Sequence, residues 1–300
     1  MARRSAYQLG PDDLVLSHFS LARAHPVRER IELAAANGFA GIGLFVGHYR
    51  QLEEDGVAPG ALAELLDEHD LVLAEIEVIP GLGRDGQGGP SVIDLEEAAW
   101  RMADAFGCRY LQAIGPAAAP TDEAGAAFGS LCDRAADHGL VVGLEFLPFT
   151  DIVSVHDARA IVEAADRPNG GICVDIWHHE RGADDLAAIA ALPAELIQGI
   201  QMSDGSKVPA DPDYYTDCLT NRLAPGDGEF DVAGFIAALR TAGATVNWSL
   251  EVCSSAGWAH PAAHVEDIAA GMRQALAPDE GPDLGADRRR SATNRAQQRR

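Results

Sequence analysis

Short apolar segments alternate with alanine-rich amphipathic segments through almost the whole chain, and this alternation limits the fold more than any other feature. The apolar segments are nearly continuous, which is typical of parallel β-strands covered on both faces. Eight of them predict eight strands: Leu14–Leu21, Gly41–Val46, Leu71–Pro80, Tyr110–Gly115, Val141–Pro148, Gly171–Trp177, Ile197–Ser203 and Val246–Cys253.

Helices are predicted between these strands. Pro26 suits the first turn of a helix, and Gly38, Gly107 and Gly139 each follow the end of one. The predicted helices are Pro26–Asn37, Pro59–His69, Val92–Phe106, Asp122–His138, His156–Ala165, Asp184–Ala191, Val232–Ala242 and Pro261–Ala277.

Eight strand–helix units in 300 residues predict an α/β fold of the (β/α)8 TIM barrel type, with one catalytic domain over residues 1–278. A doubly wound open sheet is the alternative, but no G-x-G-x-x-G follows the first strand. Gly81-Leu82-Gly83 follows a strand and lacks the third glycine, so it does not predict a phosphate-binding loop.

Two segments depart from the alternation. Asp204–Phe230 is predicted as a long loop after the seventh strand, and loops of that length are usually lids or binding loops. Residues 279–300 lack apolar periodicity and contain arginine clusters, which predicts a disordered basic tail.

The chain is strongly acidic, with 46 Asp and Glu against 23 Lys and Arg and a formal net charge of -23. We expect no nucleic-acid partner, because phosphate contacts need a basic surface. No apolar run approaches the roughly 18–20 residues that span a bilayer, so no membrane partner is expected. The five cysteines are far apart and odd in number, which is typical of reduced thiols in the cytoplasm. The oligomeric state stays open, a homo-oligomer included.

Four oxygen-bearing side chains interrupt the fifth to eighth strands: Glu145, Asp175, Gln201 and Glu251. A carboxylate buried without a partner is costly, and the active site of a TIM barrel lies at the carboxyl ends of its strands. One shared divalent cation therefore explains the four residues together. These donors favour Mn²⁺ or Mg²⁺, with Zn²⁺, Fe²⁺ and Co²⁺ as alternatives. For any one of the four, a buried salt bridge or hydrogen bond is the competing explanation.

Histidines follow closely in the sequence. His178, three residues after Asp175, is a candidate acid or electrophile, whereas His179 points the other way and is more typical of a packing residue. His18 and His48 are candidate substrate-binding residues, each with a structural role as the alternative.

Two acidic positions are less clearly assigned. Glu75 and Glu77 share one face of the third strand, and at most one of them, taken as Glu77, is expected to reach the substrate. Asp204 follows the seventh strand, where a turn at the start of the long loop is the simplest role.

These residues and their spacing resemble the sugar phosphate isomerase/epimerase superfamily, the xylose isomerase-like TIM barrels that also include endonuclease IV. The resemblance covers about residues 14–277. It implies that the two Glu, the Asp and the residue at 201 bind one metal ion, and that His178 contacts the substrate. The motifs are Leu144-Glu145, Val174-Asp175-Ile176-Trp177-His178, Ile200-Gln201-Met202-Ser203-Asp204, Pro225-Gly226-Asp227-Gly228-Glu229-Phe230-Asp231 and Leu250-Glu251.

The chain departs from the family pattern at two positions. Gln201 stands where ketose 3-epimerases carry His, and bacterial 3-dehydroshikimate dehydratases are more similar there. Lys207 stands where epimerases carry Arg, and it and Arg222 are candidate substrate-binding cations; a solvated loop lysine is the alternative for Lys207. Endonuclease IV is a poor match, because it needs a richer histidine set and a DNA-binding surface.

Proton abstraction next to a carbonyl is the chemistry that the resemblance implies, with Glu145 and Glu251 as the acid–base pair and His178 as a further catalytic residue. The leading hypothesis is a metal-dependent isomerase or epimerase of a small sugar, polyol or related hydroxy-ketone. The alternative is a lyase, either a dehydratase of a cyclic keto-polyol or an enzyme that eliminates a glycosidic group. A non-catalytic ligand-binding barrel is the alternative from another class.

Overall fold

The computed structural model describes residues 5–81, 92–115 and 119–277, and all eight predicted strands form in it. They pair in parallel in chain order, and the eighth strand pairs with the first, so the sheet is a closed barrel. The predicted (β/α)8 fold class is confirmed. The strands are β1 (Leu14–Leu16), β2 (Gly41–Phe45), β3 (Val72–Ile79), β4 (Tyr110–Ile114), β5 (Val141–Glu145), β6 (Gly170–Asp175), β7 (Ile197–Met202) and β8 (Trp248–Leu250).

Helices surround the barrel. Each predicted helix forms, and its ends differ from the predicted ends by no more than two residues. The α-helices of the described residues are α1 (Val27–Ala36), α2 (Val46–Glu54), α3 (Pro59–Glu68), α4 (Val92–Phe106), α5 (Thr121–Ala136), α6 (Val155–Ala165), α7 (Ile176–Arg181), α8 (Leu186–Ala190), α9 (Tyr214–Thr220), α10 (Val232–Ala242), α11 (Ser255–Trp258) and α12 (Pro261–Leu276).

Several strands end earlier than their apolar runs predict, because a polar side chain starts a new element. Ser17 follows β1 and accepts a hydrogen bond from the amide of Phe19, which starts a 3-10 turn. Asp175 ends β6 and accepts a hydrogen bond from the amide of Trp177 at 2.8 Å, which caps α7. The apolar residues beyond these points therefore belong to turns and helices.

The long predicted loop Asp204–Phe230 contains a helix that the sequence prediction missed. Asp213 caps α9 by accepting from the amide of Thr216 at 2.9 Å, and Cys218 on that helix is buried. The sequence prediction also missed helix α2. Its N-terminus has no side-chain cap that would have marked it in the sequence, and Val46 and Tyr49 are its buried residues.

Some predictions fall outside the described residues. Residues 279–300, predicted as a tail, are among these, as are the second and third residues of Gly81-Leu82-Gly83. Within the described parts, no helix combines the length and the apolarity that crossing a membrane requires.

The inside of the barrel is more polar than the branched apolar residues that usually fill a TIM barrel. Glu75 is buried and accepts hydrogen bonds from Ser249 at 2.7 Å and Asn247 at 3.3 Å. Burial raises the pKa of Glu75 to about 7. Burial, with the charge of Glu75 as a lesser cause, raises the pKa of Glu77 to about 8.

The Tyr110 ring occupies space that two glycines leave open. A Cβ atom at Gly143 on β5 or at Gly199 on β7 would overlap this ring. Because protein interiors are close-packed, the ring has little room to move aside. These glycines are therefore needed for packing inside the barrel.

We predict that Gly199→Ala lowers the free energy of unfolding by about 1–3 kcal/mol, because the added methyl group displaces the Tyr110 ring. Urea unfolding measures the change. Gly60→Ala is the matched control, since a Cβ there meets no atom within 4 Å and should leave stability unchanged or slightly higher. Equal stability of the Gly199→Ala variant and the wild type would contradict the packing argument.

A second prediction concerns Glu75 and pH. Its carboxyl keeps its proton to about pH 7 in the folded protein, whereas in the unfolded chain it ionises near the ordinary glutamate pKa of 4.5. Between these values the unfolded chain binds fewer protons, so this group makes folding less favourable as pH rises. Glu75→Gln cannot ionise, and its stability relative to the wild type should increase by up to about 1.4 kcal/mol per pH unit in this window. Urea unfolding of both proteins at pH 5 and pH 7 measures this, and a constant difference would contradict it.

Candidate active site

A cavity of about 160 Å³ opens at the carboxyl ends of the strands. Its inner lining includes Glu145, His178, Arg222 and Glu251, which come from four different parts of the chain. Active sites of TIM barrels lie at this end, so the cavity is the candidate active site.

Two of the three predicted carboxylates at this end are held by one guanidinium. The Nη1 atom of Arg222 lies 2.9 Å from Oδ2 of Asp175 and 3.1 Å from Oε2 of Glu251. The Nε atom of Arg222 also donates to the carbonyl of Cys218 at 3.0 Å, and Arg222 is only 2% exposed. The guanidinium therefore lies fixed between the ends of β6 and β8.

The charges at this end of the barrel do not balance. Glu145, Asp175 and Glu251 are buried, and together they carry three negative charges when ionised, against one positive charge on Arg222. Burial raises the pKa of the Glu251 carboxyl well above its usual range, and Arg222 offsets only part of that effect. A divalent cation would neutralise the two remaining charges, so the donor set fits one.

His178 joins this group. Its Nε2 atom lies 3.4 Å from Oε1 of Glu145 and 3.4 Å from Oδ2 of Asp175, and one ligand atom from each of these three residues lies within 4.8 Å of the others. The Nδ1 atom of His178 lies 2.8 Å from the hydroxyl of Tyr214, which fixes the ring. The sequence analysis missed Tyr214, although Asp213 before it was a readable helix-cap signal.

Gln201 lies in the same polar group and is held by a residue that the sequence analysis also missed. Asp175 and Gln201 are paired in register between β6 and β7. The Nε2 atom of Gln112 on β4 donates to Oε2 of Glu145 at 2.7 Å and to Oε1 of Gln201 at 3.2 Å. Glu145, Asp175, Gln201 and Glu251 were identified in the sequence as polar residues within apolar strands. Gln112 meets the same criterion and could have been identified by it.

Asp204 organises the loop that contains the Pro-Gly motif. Its carboxylate accepts from the amides of Gly226 at 2.9 Å, Gly228 at 3.0 Å and Phe230 at 3.0 Å. These bonds occupy both carboxylate oxygens. Asp204 is therefore a structural residue, consistent with its expected role in a turn.

The other predicted substrate-binding residues do not line the cavity in the described parts of the chain. The rings of His18 and His48 lie 5.3 Å apart, and Glu77 accepts from the backbone amide of His18 at 2.9 Å. Lys207 is exposed and forms an ion pair with Glu180 at 2.6 Å. Their roles toward a substrate stay predictions. His179 packs against Phe235, at 5.5 Å between ring centroids, as expected for a packing residue.

The chain belongs to the family of xylose isomerase-like TIM barrels, whose family model matches residues 31–275. The crystal structure of the IOLI protein with a bound zinc atom is similar, with a TM-score of 0.78, 17% identity, and coverage of 88% of this chain and 98% of that one. A D-allulose 3-epimerase from Methylomonas sp. has a TM-score of 0.69 and 17% identity, and the match covers 89% of this chain and 99% of that one. At these identities, the two structures support the fold alone.

A curated relative is a 3-dehydroshikimate dehydratase from Pseudomonas aeruginosa, which is 29% identical over 231 residues. The match covers 75% of this chain and 36% of the relative. The chain thus spans about a third of the length of the relative that it matches.

We predict that removal of divalent cations with a chelator lowers the melting temperature. Without a cation, two buried negative charges lose their partner, and a bound ion stabilises only the folded state. Calorimetry of protein with and without chelator measures the shift. In Glu145→Gln the shift should shrink, whereas Glu64→Gln, on the exposed surface of α3, should retain it. A wild-type melting temperature that chelator leaves unchanged would refute the cation site.

Proposed function

We propose that this barrel is a divalent-metal-dependent lyase that dehydrates a cyclic keto-polyol of the 3-dehydroshikimate type. One observation carries the proposal: two buried carboxylates, Glu145 and Glu251, lie in one cavity with a histidine whose ring is fixed by Tyr214. The 29% identity to a 3-dehydroshikimate dehydratase supports a lyase over the isomerase or epimerase that the sequence favours.

The proposed ligands of a divalent cation are the oxygens of Glu145, Asp175, Gln201 and Glu251, and the cation, when bound, would polarise the substrate carbonyl. We propose Mn²⁺ or Mg²⁺, because carboxylate and amide oxygens are hard ligands. Gln112 would keep two of these oxygens in place through its two hydrogen bonds.

Glu251 is the proposed base. It takes the proton from the carbon next to the carbonyl. Burial raises the pKa of Glu251 and so makes its carboxylate a stronger base than it is in water. Arg222 restrains this carboxylate, with 3.1 Å between Nη1 and Oε2.

His178 is the proposed acid. It gives a proton to the hydroxyl on the next carbon, which leaves as water while the carbon–carbon double bond forms. Tyr214 fixes the ring through Nδ1, so Nε2 faces the carboxylate end of the cavity, 3.4 Å from Glu145.

Epimerisation is the second candidate, because Glu145 and Glu251 come from β5 and β8 and both line the cavity. A proton that one carboxylate removes could be returned by the other on the opposite face of the carbon. The reacting carbon would then gain deuterium from D₂O in a product that keeps its hydroxyl group.

The test is incubation of the metal-loaded protein with 3-dehydroshikimate in D₂O, followed by ultraviolet absorbance of the aromatic product and by mass spectrometry. We expect the dihydroxybenzoate product, and a loss of turnover of about 10²–10⁴-fold in Glu251→Gln. Glu64→Gln should keep wild-type turnover. Deuterium in unreacted or epimerised substrate without dehydration would favour the epimerase. If neither dehydration nor deuterium exchange occurred, both enzyme proposals would be wrong and the non-catalytic ligand-binding barrel would be favoured.

A further inference from the structure

Arg23 lies at the cavity, and no described residue of opposite charge pairs with it. It follows the 3-10 turn after β1, lines the cavity, and is exposed. Its guanidinium carbon lies 4.7 Å from the centroid of the Phe45 ring and 5.8 Å from that of Phe19. Within the described ranges it forms no ion pair or hydrogen bond, unlike Arg222, which is the other arginine that lines the cavity.

The two aromatic rings hold Arg23 in place without using its hydrogen-bond donors. A guanidinium stacked on a ring keeps its N–H groups free at its edge, where they match the two oxygens of a carboxylate. An arginine that merely extended into solvent would lose more side-chain entropy on binding the same group. Arg23 is therefore preorganised for a planar anion.

The charge of the whole site points the same way. The proposed dication and Arg222 together balance Glu145, Asp175 and Glu251, which leaves the guanidinium of Arg23 as the unbalanced charge. A ligand complementary to this site therefore carries one negative charge where it meets Arg23. This matters in a chain of net charge -23, which otherwise disfavours anions.

Aromatic side chains also line two opposite sides of the cavity. Phe19 and Phe45 come from the ends of β1 and β2, and Phe149 and Tyr215 follow β5 and β7. In an eight-stranded barrel, β1 and β5 are four positions apart and lie across from each other, so Phe19 faces Phe149 over the cavity. Phe45 lies beside Phe19, with 5.6 Å between ring centroids, and Tyr215 lies beside Phe149, with 5.9 Å between ring centroids. Two aromatic walls suit a flat ring between them.

We propose that Arg23 is a specificity-determining residue, which binds the carboxylate of a cyclic monocarboxylate while the ring of that ligand lies between the two aromatic walls and its oxygens reach the metal end. This rests on the proposed function for the metal end of the site. The new part of the proposal is that Arg23 binds a negatively charged group of the ligand, which the chemistry at the metal end does not require.

The test uses 3,4-dihydroxybenzoate and its neutral amide as probes on the metal-loaded protein, with calorimetry to measure the dissociation constants. We expect the acid to bind at least 10-fold more tightly than the amide. Arg23→Gln should weaken binding of the acid at least 10-fold and leave binding of the amide within 2-fold. Arg28→Gln, an arginine on α1 with 64% exposure, is the matched control and should change neither constant.

In the binding test, two results would overturn the assignment: an Arg23→Gln variant that binds the acid as the wild type does, or one that weakens both probes equally. The probes report on Arg23 independently of catalysis. If the protein fails to dehydrate 3-dehydroshikimate but the acid–amide difference disappears in Arg23→Gln, then the proposed function is wrong and Arg23 still selects the anion. If dehydration occurs, Arg23→Gln should raise KM at least 10-fold while kcat changes less than 3-fold; an unchanged KM would overturn the assignment of Arg23.

Discussion

Three carboxylates buried at one end of the barrel set an electrostatic constraint that the surrounding structure meets. Ionised carboxylates need positive charge or hydrogen-bond donors when water is excluded. Arg222 supplies one charge, to Asp175 and Glu251, and Gln112 supplies a donor to Glu145. Two of the three negative charges remain unbalanced when all three carboxylates are ionised, and a dication would neutralise them. Burial of these carboxylates, which destabilises the fold without a cation, therefore favours cation binding.

The segment after β7 positions Arg222 against Asp175 and Tyr214 against His178. Asp204 and Leu223 exchange backbone hydrogen bonds at 2.9 and 2.8 Å, and the amide of Arg222 donates to the carbonyl of Cys253 at 2.9 Å. These bonds fix the backbone of Arg222 and Leu223 between the segments that follow β7 and β8. Asp204 then holds the Pro-Gly segment through three amides, and α9 places Tyr214 against His178. The segment that the sequence predicts as a lid or a binding loop thus supports two residues of the site.

The sequence was informative where a local rule decides the outcome. A polar residue in an apolar strand costs free energy unless it has a partner, and this rule located Glu145, Asp175, Gln201 and Glu251. Position along the chain could not show that Arg222 would lie against Asp175, 47 residues away. The aromatic stacking of Arg23 was equally invisible, because it depends on how two separate loops meet. Strand ends were predicted too late, because apolar residues continue into capped turns and helices.

The acids inside the barrel accept hydrogen bonds from different kinds of donors. Glu75 accepts hydrogen bonds only from the neutral groups of Ser249 and Asn247, so burial dominates and its carboxyl keeps its proton near neutral pH. Asp175 instead accepts hydrogen bonds from the guanidinium of Arg222 at 2.9 Å and from the amide of Trp177 at 2.8 Å. Among these donors the one guanidinium lies at the carboxyl ends of the strands, where the cavity opens. This is the end of the barrel at which a cation would complete the charge balance.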